Sequence, residues 1–489
     1  MHRREFLTLA AGLPFLGQSR RGPIAEISAD VLEDKIRGGF LGQVIGDLNG
    51  LEHEMKYIAE PGNVQEYTPA LAEGAWTDDD TDIEWPYLLE MQRAKTILLP
   101  YSQITEVWKR HINRGMWSSH LYLRQLMDLG IDPPLTGRIA INPWADFNLS
   151  GQFVSESWGL ISPGMPRTAA RIGIHYTHVS IDGEAIQSTQ MMDAMIATAF
   201  FTGDIEKILD AGAAAVDPKS TMSRVIADVR QWARENPKDW RVTRRLTKDR
   251  YCRYGGDDWR DRNGVWLNGA STISALMYGD GDFVQTIRHA FNFGWDADNN
   301  AAASGAILGV IKGNKFLQSQ GWKIKDQYRD TSRDEVPPDE TITSYGDRLM
   351  AVAEANIVRQ GGSKATVRGK TVYRINAEQA GNVEPLADPE KQLAALRAEF
   401  RGKIEKDVTS GANAREKARA AYLAICLDFA PELKERHPKK WSQAIQSLTS
   451  YPRVMQVIFY EAPFPAGEAI RQKANAAGLQ TPTQIKWWV

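Results

Sequence analysis

Oxygen-bearing acidic side chains are grouped at three widely separated places in the chain. The groups are Asp47 with Glu54, then Asp78, Asp79, Asp80 and Asp82, and finally Asp296 and Asp298 followed by the amide Asn299. Such hard oxygen ligands favour Mg²⁺, Mn²⁺ or Ca²⁺ over zinc or copper. We therefore expect one or two divalent ions held between helix ends. Each group taken alone also fits a helix cap, because Asp is favoured at helix N-termini.

The third acidic group stands at the start of a helix of small residues. Residues 291–309 open with a turn and continue as a run of Ala, Ser and Gly. Without bulky side chains, this helix can pack closely against another and hold its first turn deep in the protein. Carboxylates in such a place need a cation, a proton or several hydrogen-bond donors to offset their desolvation.

A glycine-rich helix is predicted over residues 30–50, next to the first acidic group. Its apolar residues recur at helical spacing, whereas Gly38, Gly39, Gly42 and Gly46 interrupt it. Glycine weakens a helix, so four of them indicate close packing or the close approach of a ligand.

The composition is that of a globular protein. The chain has 489 residues, of which 43% are hydrophobic and 25% charged, and its net charge of −2 gives no reason to expect nucleic acid as a partner. Strand patterns are scarce, so we predict an all-α fold. We divide the chain into residues 28–360, a helical domain, and residues 361–489, an extension that begins with a hairpin around Gly369 and continues as helices.

The N-terminus resembles an export signal of the twin-arginine type. Arg3 and Arg4 precede a short apolar run from Phe6 to Leu16, which is too short to span a bilayer. We expect residues 1–25 to act as this signal and the protein to be periplasmic or extracellular, with no membrane span. Cys252 and Cys426 form no CxxC pattern, which argues against a zinc or redox motif.

Three motifs, in this order along the chain, resemble those of the ADP-ribosylglycohydrolase family (dinitrogen-reductase-activating and ARH-type hydrolases). They are Gly42-Gln-Val-Ile-Gly-Asp47-Leu-Asn-Gly50-Leu-Glu-His-Glu54, Trp76-Thr77-Asp78-Asp79-Asp80-Thr81, and residues 292–309 with Asp296-Ala-Asp298-Asn299. Each is weak alone, but together and on helix starts they are specific. The similarity covers roughly residues 30–360, and the chain would be a divergent, exported member.

This resemblance implies a helical bundle with a cleft that holds two Mg²⁺ or Mn²⁺ ions. The metal ligands it implies are Thr77, Asp78, Asp79, Asp296 and Asp298, with Asn299 where the family has Thr. Glu54 would be the acid near the mouth of the cleft, catalytic together with Asp296. The extra Asp leaves two registers open, Thr77-Asp78-Asp79 and Asp79-Asp80-Thr81. We prefer the first because it keeps the Thr-Asp-Asp order, and Asp80 could still be a ligand.

The expected activity is metal-dependent hydrolysis of an N- or O-glycosidic bond in a small molecule or glycan. Trp295 replaces a family Gly and could form a stacking wall, and Asp47, Asn268 and Trp158 are further candidates for substrate binding. Two alternatives remain, an exported carbohydrate-directed glycosidase on the same fold and a non-catalytic sugar- or nucleotide-binding module. No Gly-rich phosphate loop with Lys or Arg is obvious, which favours the carbohydrate.

Overall fold

Helices form most of the structure, and the predicted all-α fold is confirmed. The computed structural model describes residues 23–256, 258–463 and 465–485. Up to residue 360 the helices are α1 Ala29–Gly50, α2 Asp79–Asp82, α3 Glu84–Ala94, α4 Tyr101–His111, α5 Ser118–Asp128, α6 Ser150–Phe153, α7 Glu156–Leu160, α8 Pro166–Thr177, α9 Glu184–Ala199, α10 Ile205–Ala215, α11 Thr221–Glu235, α12 Trp240–Tyr251, α13 Trp259–Arg262, α14 Val265–Gly279, α15 Phe283–Phe293, α16 Ala297–Lys312, α17 Asn314–Ser319 and α18 Ile342–Arg359, with a 3₁₀ turn at Leu135–Gly137.

Helices α1 and α16 pack backbone to backbone at the centre of the molecule. A Cβ atom added at Gly42 would lie 2.1 Å from the carbonyl oxygen of Gly305, and one at Gly46 would lie 2.2 Å from that of Ala301. Only glycine allows this approach, so the close packing predicted from the glycines is confirmed. The two helices run antiparallel, since a Cβ at Gly38 would meet Gly309 and a Cβ at Gly50 would meet Asp298. The end of α1 is thereby placed beside the start of α16.

Strands are few and short, and one pair positions an acidic segment. β2 (Ala75–Trp76) pairs in parallel with β3 (Tyr328–Arg329), which fixes the backbone directly before Asp78. The other sheet has the order β1-β5-β4, where β1 is Ile24–Ser28, β4 is Ser363–Val367 and β5 is Lys370–Asn376. The β4–β5 hairpin turns at Gly369, whose φ of 77° suits a left-handed turn residue.

The segment after the hairpin is helical and packs on the preceding part. Its helices are α19 Pro389–Thr409, α20 Ala414–Cys426, α21 Ala430–Arg436, α22 Pro438–Thr449, α23 Pro452–Gln456 and α24 Ala466–Ala477, with a π-helical turn at Val457–Glu461. The buried Tyr422 hydroxyl on α20 donates a hydrogen bond of 2.7 Å to the carbonyl oxygen of Ile141. The division into domains at residue 360 stays a prediction.

The predicted export signal, residues 1–25, lies outside the described residues except for its last three positions. Among the helices that the structure describes, none combines the length and apolar character that crossing a bilayer requires.

Candidate active site

A cavity of about 530 Å³ opens where the end of α1, the α2 turn and the start of α16 meet, a size typical of small-molecule sites. Carboxylates and aromatic rings both line it. Its lining comprises Glu54, Met55, Asp78, Asp79, Asp80, Trp117, Ser118, Trp144, Asn148, Phe153, Asn263, Asp296, Asp298, Tyr460, Glu461, Ala462 and Pro463.

Four aspartates bring their carboxylates together at the base of this cavity, and we call this set of residues the four-carboxyl group. Asp47, Asp78, Asp80 and Asp298 each place an oxygen within 4.8 Å of one another. Asp47 lies in the last turn of α1, Asp78 caps α2, Asp80 lies in the first turn of α2, and Asp298 in the first turn of α16. The α1–α16 packing therefore brings together residues some 250 positions apart in the sequence.

Glu54, Asp296 and Asp298 form a second group whose oxygens also lie within 4.8 Å of one another. Asp298 belongs to both groups, so the two are adjacent. Glu54 is exposed, whereas Asp298 is buried. The site therefore extends from a buried base to a solvent-accessible mouth, where Glu54 lies.

Burial raises the pKa of the carboxyl groups at the base of the cavity. For Asp47, Asp80 and Asp298 desolvation is the largest cause, and the negative charges of neighbouring carboxylates raise each pKa further. The pKa of Asp78 is raised by desolvation too, although backbone N–H groups of α2 oppose the shift. A cation would remove the repulsion among these carboxylates, because an opposite charge favours their ionised form.

The unpartnered atoms at the base fit a hard divalent cation. Both carboxyl oxygens of Asp47, which is 0% exposed, and Oδ1 of Asp298 have no hydrogen-bond partner within the described residues. The amide nitrogen and oxygen of the adjacent Asn299 are also buried and unpartnered in that part of the chain. Buried polar atoms are rarely left unsatisfied, and oxygen donors at this spacing are those that Mg²⁺ and Mn²⁺ prefer.

Neither predicted register of residues 77–81 describes the four-carboxyl group. It contains Asp78 and Asp80, whereas Asp79 lines the cavity without belonging to it. The Thr77 hydroxyl lies 2.8 Å from the hydroxyl of Thr331 and accepts a 2.7 Å hydrogen bond from the Thr331 N–H. The structure thus engages Thr77 with the segment after β3, and Thr77 is not among the residues lining the cavity.

Asp47 and Asn268, predicted to bind substrate, both lie behind the cavity surface. Asp47 belongs to the four-carboxyl group but is fully buried. Asn268 is fully buried too, and its Oδ1 accepts hydrogen bonds of 3.0 Å from the Asp296 N–H and from Nδ2 of Asn300. Asn268 therefore holds the start of α16, which positions Asp296.

Trp295 does not form the predicted stacking wall, because its ring is covered by protein. It is 0% exposed, and the guanidinium of Arg244 lies 3.7 Å from the ring centroid. Arg244 also donates to the carbonyl oxygens of Phe293 at 2.8 Å and Ile58 at 2.9 Å, so it ties the segment around Glu54 to the segment before Asp296. Desolvation lowers the pKa of Arg244 to about 10, which leaves it charged at neutral pH.

Trp158, another predicted substrate contact, is a core residue. Its ring stacks on Tyr176 with the ring centroids 4.5 Å apart, and its Nε1 donates to the carbonyl oxygen of Val154 at 2.7 Å. It is 0% exposed and does not line the cavity. The pattern of Trp in the sequence does not separate core rings from cleft rings, since both sit among apolar neighbours.

A buried ion pair that the sequence analysis did not anticipate supports the acidic turn. Arg333 Nη2 lies 2.7 Å from Oδ1 of Asp82, both side chains are 0% exposed, and the Ser332 hydroxyl donates to Oδ2 of Asp82 at 2.9 Å. The pKa of Asp82 still rises to about 6, because desolvation outweighs the Arg333 charge. Asp82 is thus already paired and does not belong to the four-carboxyl group, and no local motif around Arg333 signals this role.

Another set of potential metal ligands lies outside the cavity and consists of His178, Asp182 and Glu384, which are already paired. His178 Nε2 lies 2.9 Å from Oε1 of Glu384, and Arg138 Nη1 lies 2.7 Å from Oδ2 of Asp182. The charge of Glu384 raises the pKa of His178 in spite of its burial. These ion pairs satisfy the group without a metal.

The helical fold and the cavity with carboxylates at its base define an all-α protein with a candidate metal centre. Residues 28–359 match the family model for ADP-ribosylglycohydrolase, and the chain belongs to this family. Family membership supports an enzyme of the hydrolase type that acts on glycosidic bonds. A search of the curated proteins gave no match.

Glu84, a buried acid outside the cavity, leads to a prediction about how stability depends on pH. Glu84 is fully buried, both its oxygens accept from the Ser157 N–H, at 3.0 and 3.1 Å, and desolvation raises its pKa to about 8. A carboxyl group whose pKa is higher in the folded than in the unfolded state stabilises the folded protein while it is protonated. This contribution is fully present below the pKa of the unfolded state and is lost as the pH rises through the folded-state pKa of about 8. The free energy of unfolding of the wild type should fall between about pH 5 and pH 9. In Glu84→Gln this fall should be smaller by roughly 4 kcal/mol.

Urea denaturation at each pH measures this difference. Glu73→Gln, at an exposed position, is the matched control and should follow the wild-type curve. Equal pH dependence of the wild type and Glu84→Gln would show that Glu84 folds in its ionised form.

Proposed function

We propose that the protein is a metal-dependent hydrolase of N- or O-glycosidic bonds that uses two Mg²⁺ or Mn²⁺ ions. The observation that carries the proposal is the four-carboxyl group, whose oxygens lie within 4.8 Å of one another at the base of a cavity. Both oxygens of Asp47 and Oδ1 of Asp298 support it, since they are buried and have no hydrogen-bond partner among the residues that the structure describes. Asn299, Asp79 and Asp296 are further oxygen donors close by.

Residues at the end of α1 and at the starts of α2 and α16 would hold these ions. Asp47, Asp78, Asp80 and Asp298 would bind them, with Asp296 and Asp298 adjoining Glu54. Divalent ions so held supply positive charge that orients sugar hydroxyls and acidifies a water molecule. Asn268 holds the backbone of Asp296 in place through its 3.0 Å hydrogen bond.

Glu54 is the residue best placed to transfer a proton. It lines the cavity at its exposed mouth, and desolvation together with the charge of Asp78 raises its pKa. A raised pKa lets a carboxyl group exchange a proton closer to neutral pH, as general acid–base catalysis requires. Glu54 would take a proton from water or give one to the leaving group, as carboxyl groups do in glycoside hydrolysis.

Chelation tests the proposal. We expect the purified protein to hydrolyse at least one member of a panel of N- and O-glycosides that includes ADP-ribosyl conjugates. Dialysis against a chelator should reduce the rate at least about 100-fold, and Mg²⁺ or Mn²⁺ should restore it. Activity that chelation leaves unchanged would contradict the proposal, and metal binding without turnover of any glycoside would favour a binding module.

Export is proposed on the sequence alone, from Arg3, Arg4 and the apolar run that follows. Residues 1–25 fused to a folded reporter should direct it out of the cytoplasm. Replacing both arginines by lysine should abolish this transport, and transport that persists would remove the twin-arginine interpretation.

A further inference from the structure

One wall of the cavity comes from a part of the chain outside the family match. The match ends at residue 359, whereas Tyr460, Glu461, Ala462 and Pro463 line the same cavity as the carboxylates. We call these four residues the extension wall. The part of a ligand that these residues contact is therefore not recognised by the motifs of the matched region.

The extension wall is held in place by contacts on two sides. Trp144 Nε1 donates a 2.8 Å hydrogen bond to the carbonyl oxygen of Glu461, which joins the wall to the loop before α6. The Tyr460 hydroxyl donates at 2.6 Å to the carbonyl oxygen of Pro482, and Gln456 Nε2 donates at 2.6 Å to that of Thr483. The wall also lies at a π-helical turn, Val457–Glu461, a geometry frequent at functional sites.

Four aromatic residues belong to the lining of the cavity. Trp117, Trp144, Phe153 and Tyr460 all line it. Trp117 is 45% exposed, unlike the buried Trp158 and Trp295, so its ring remains accessible. Aromatic faces present a flat apolar surface, which suits the faces of sugar rings and of aromatic groups.

Positive side chains do not line the cavity in the part of the chain that the structure describes. Its lining there contains no Lys, Arg or His but seven carboxyl residues, Glu54, Asp78, Asp79, Asp80, Asp296, Asp298 and Glu461. A pyrophosphate is normally held by Arg or Lys or by backbone N–H groups at a helix N-terminus. The two divalent ions proposed above would supply four positive charges against these seven carboxyl residues, so placing the negative charges of a pyrophosphate here costs binding free energy, and such repulsion is one source of specificity.

We propose, on the basis of the hydrolase function proposed above, that the extension wall and Trp117 bind an uncharged sugar or aromatic aglycone of the substrate and disfavour a pyrophosphate. The substrate class is then a neutral glycoside. Trp117 and Tyr460 are the specificity-determining residues, since both rings line the cavity and neither carries a carboxyl group.

Binding can be measured separately from turnover in a Glu54→Gln background supplied with Mg²⁺ or Mn²⁺. The probes are a panel of p-nitrophenyl glycosides of neutral pentoses and hexoses, and ADP-ribose. At least one neutral glycoside should bind at least tenfold more tightly than ADP-ribose. Trp117→Ala should weaken that binding at least about fivefold and leave metal affinity unchanged, because it removes only a stacking face.

Two further variants sharpen the test. Phe316→Ala changes an aromatic residue that is 40% exposed on α17 and does not line the cavity, so it should bind like the parent. Trp117→Arg adds a cation at an exposed position and should tighten ADP-ribose binding while weakening that of the neutral glycoside. Tyr460→Leu should weaken neutral glycosides as Trp117→Ala does.

Tighter binding of ADP-ribose than of every neutral glycoside would overturn the inference, as would unchanged glycoside binding in Trp117→Ala. Absence of binding by all neutral glycosides would overturn it too. These outcomes differ from failure of the proposed function, which would appear as absence of metal binding or as hydrolysis that chelation does not affect.

Discussion

Asp298→Asn is expected to lose both metal-dependent stability and catalysis. Asp298 belongs both to the four-carboxyl group and to the set formed with Glu54 and Asp296, and among the described residues no other member is shared, so its loss affects both sets. Asn has a similar shape but removes one negative charge and one oxygen donor, which weakens a hard cation site. We expect kcat to fall on the order of 1000-fold, about 4 kcal/mol in activation free energy.

Thermal unfolding with and without Mg²⁺ or Mn²⁺ separates the loss of metal from a loss of fold. The wild type should unfold at a higher temperature when the ion is added, and Asp298→Asn should not respond. Asp193→Asn is the matched control, since Asp193 is also fully buried, with unpartnered oxygens in the described part of the chain, but does not line the cavity. Equal responses of wild type and Asp298→Asn would remove Asp298 from the metal site.

Gly42→Ala is expected to destabilise the protein strongly although it adds a single methyl group. The new Cβ would lie 2.1 Å from the Gly305 carbonyl oxygen, so α1 and α16 would have to separate. Overpacking of this kind commonly costs about 3 kcal/mol, which exceeds the roughly 1 kcal/mol that Ala gains over Gly in a helix. Urea denaturation should show the net loss.

Gly402→Ala provides the control for this prediction. Gly402 lies in α19, and an added Cβ would meet nothing within 4 Å. The same substitution should there stabilise the protein by about 0.5–1 kcal/mol, since only helix propensity changes. If Gly42→Ala stabilised the protein as Gly402→Ala does, the close α1–α16 packing would be wrong. Separation of these helices should also weaken metal binding, because it moves Asp47 away from Asp298.

The sequence predicted that each of these two helices packs closely against a neighbour, because that signal is local, whereas their pairing with each other comes from the structure. Glycines at spacing four in α1 and small residues in α16 have few uses other than close approach, and the structure brings Gly42 and Gly46 against Gly305 and Ala301. The same packing accounts for the proximity of Asp47 and Asp298. Acidic residues at helix ends therefore indicate where the carboxyl groups converge.

The arrangement within the clusters was harder to predict, because it depends on partners far away in the chain. Asp82 pairs with Arg333, and Thr77 is engaged by Thr331, so neighbouring positions in the α2 turn have different surroundings. Residues at adjacent positions of a helical turn point about 100° apart, and a motif read as consecutive ligands ignores this rotation. This rotation does not apply between Asp78 and Asp80, because Asp78 is the N-cap residue of α2 and has an extended backbone, with φ −132° and ψ 158°.

The tryptophans show a second limit of what the sequence alone can predict. Trp158 and Trp295 were predicted to contact substrate and are buried, whereas Trp117 lines the cavity. Whether a ring is in the core or in a cleft is decided by what packs over it, such as Arg244 over Trp295. The extension wall has no sequence signal at all, since Tyr460 reaches the cavity only through long-range packing against the loop that holds Trp144.

The most direct test of the metal centre is anomalous diffraction from crystals of the protein grown with Mn²⁺. We predict peaks between Asp47, Asp78, Asp80 and Asp298 and beside Asp296, with none at His178, Asp182 and Glu384, where ion pairs already satisfy the side chains. Absence of Mn²⁺ from the four-carboxyl group at millimolar concentration would contradict the proposed metal-dependent mechanism, and these carboxyl groups would then be held neutral by protons.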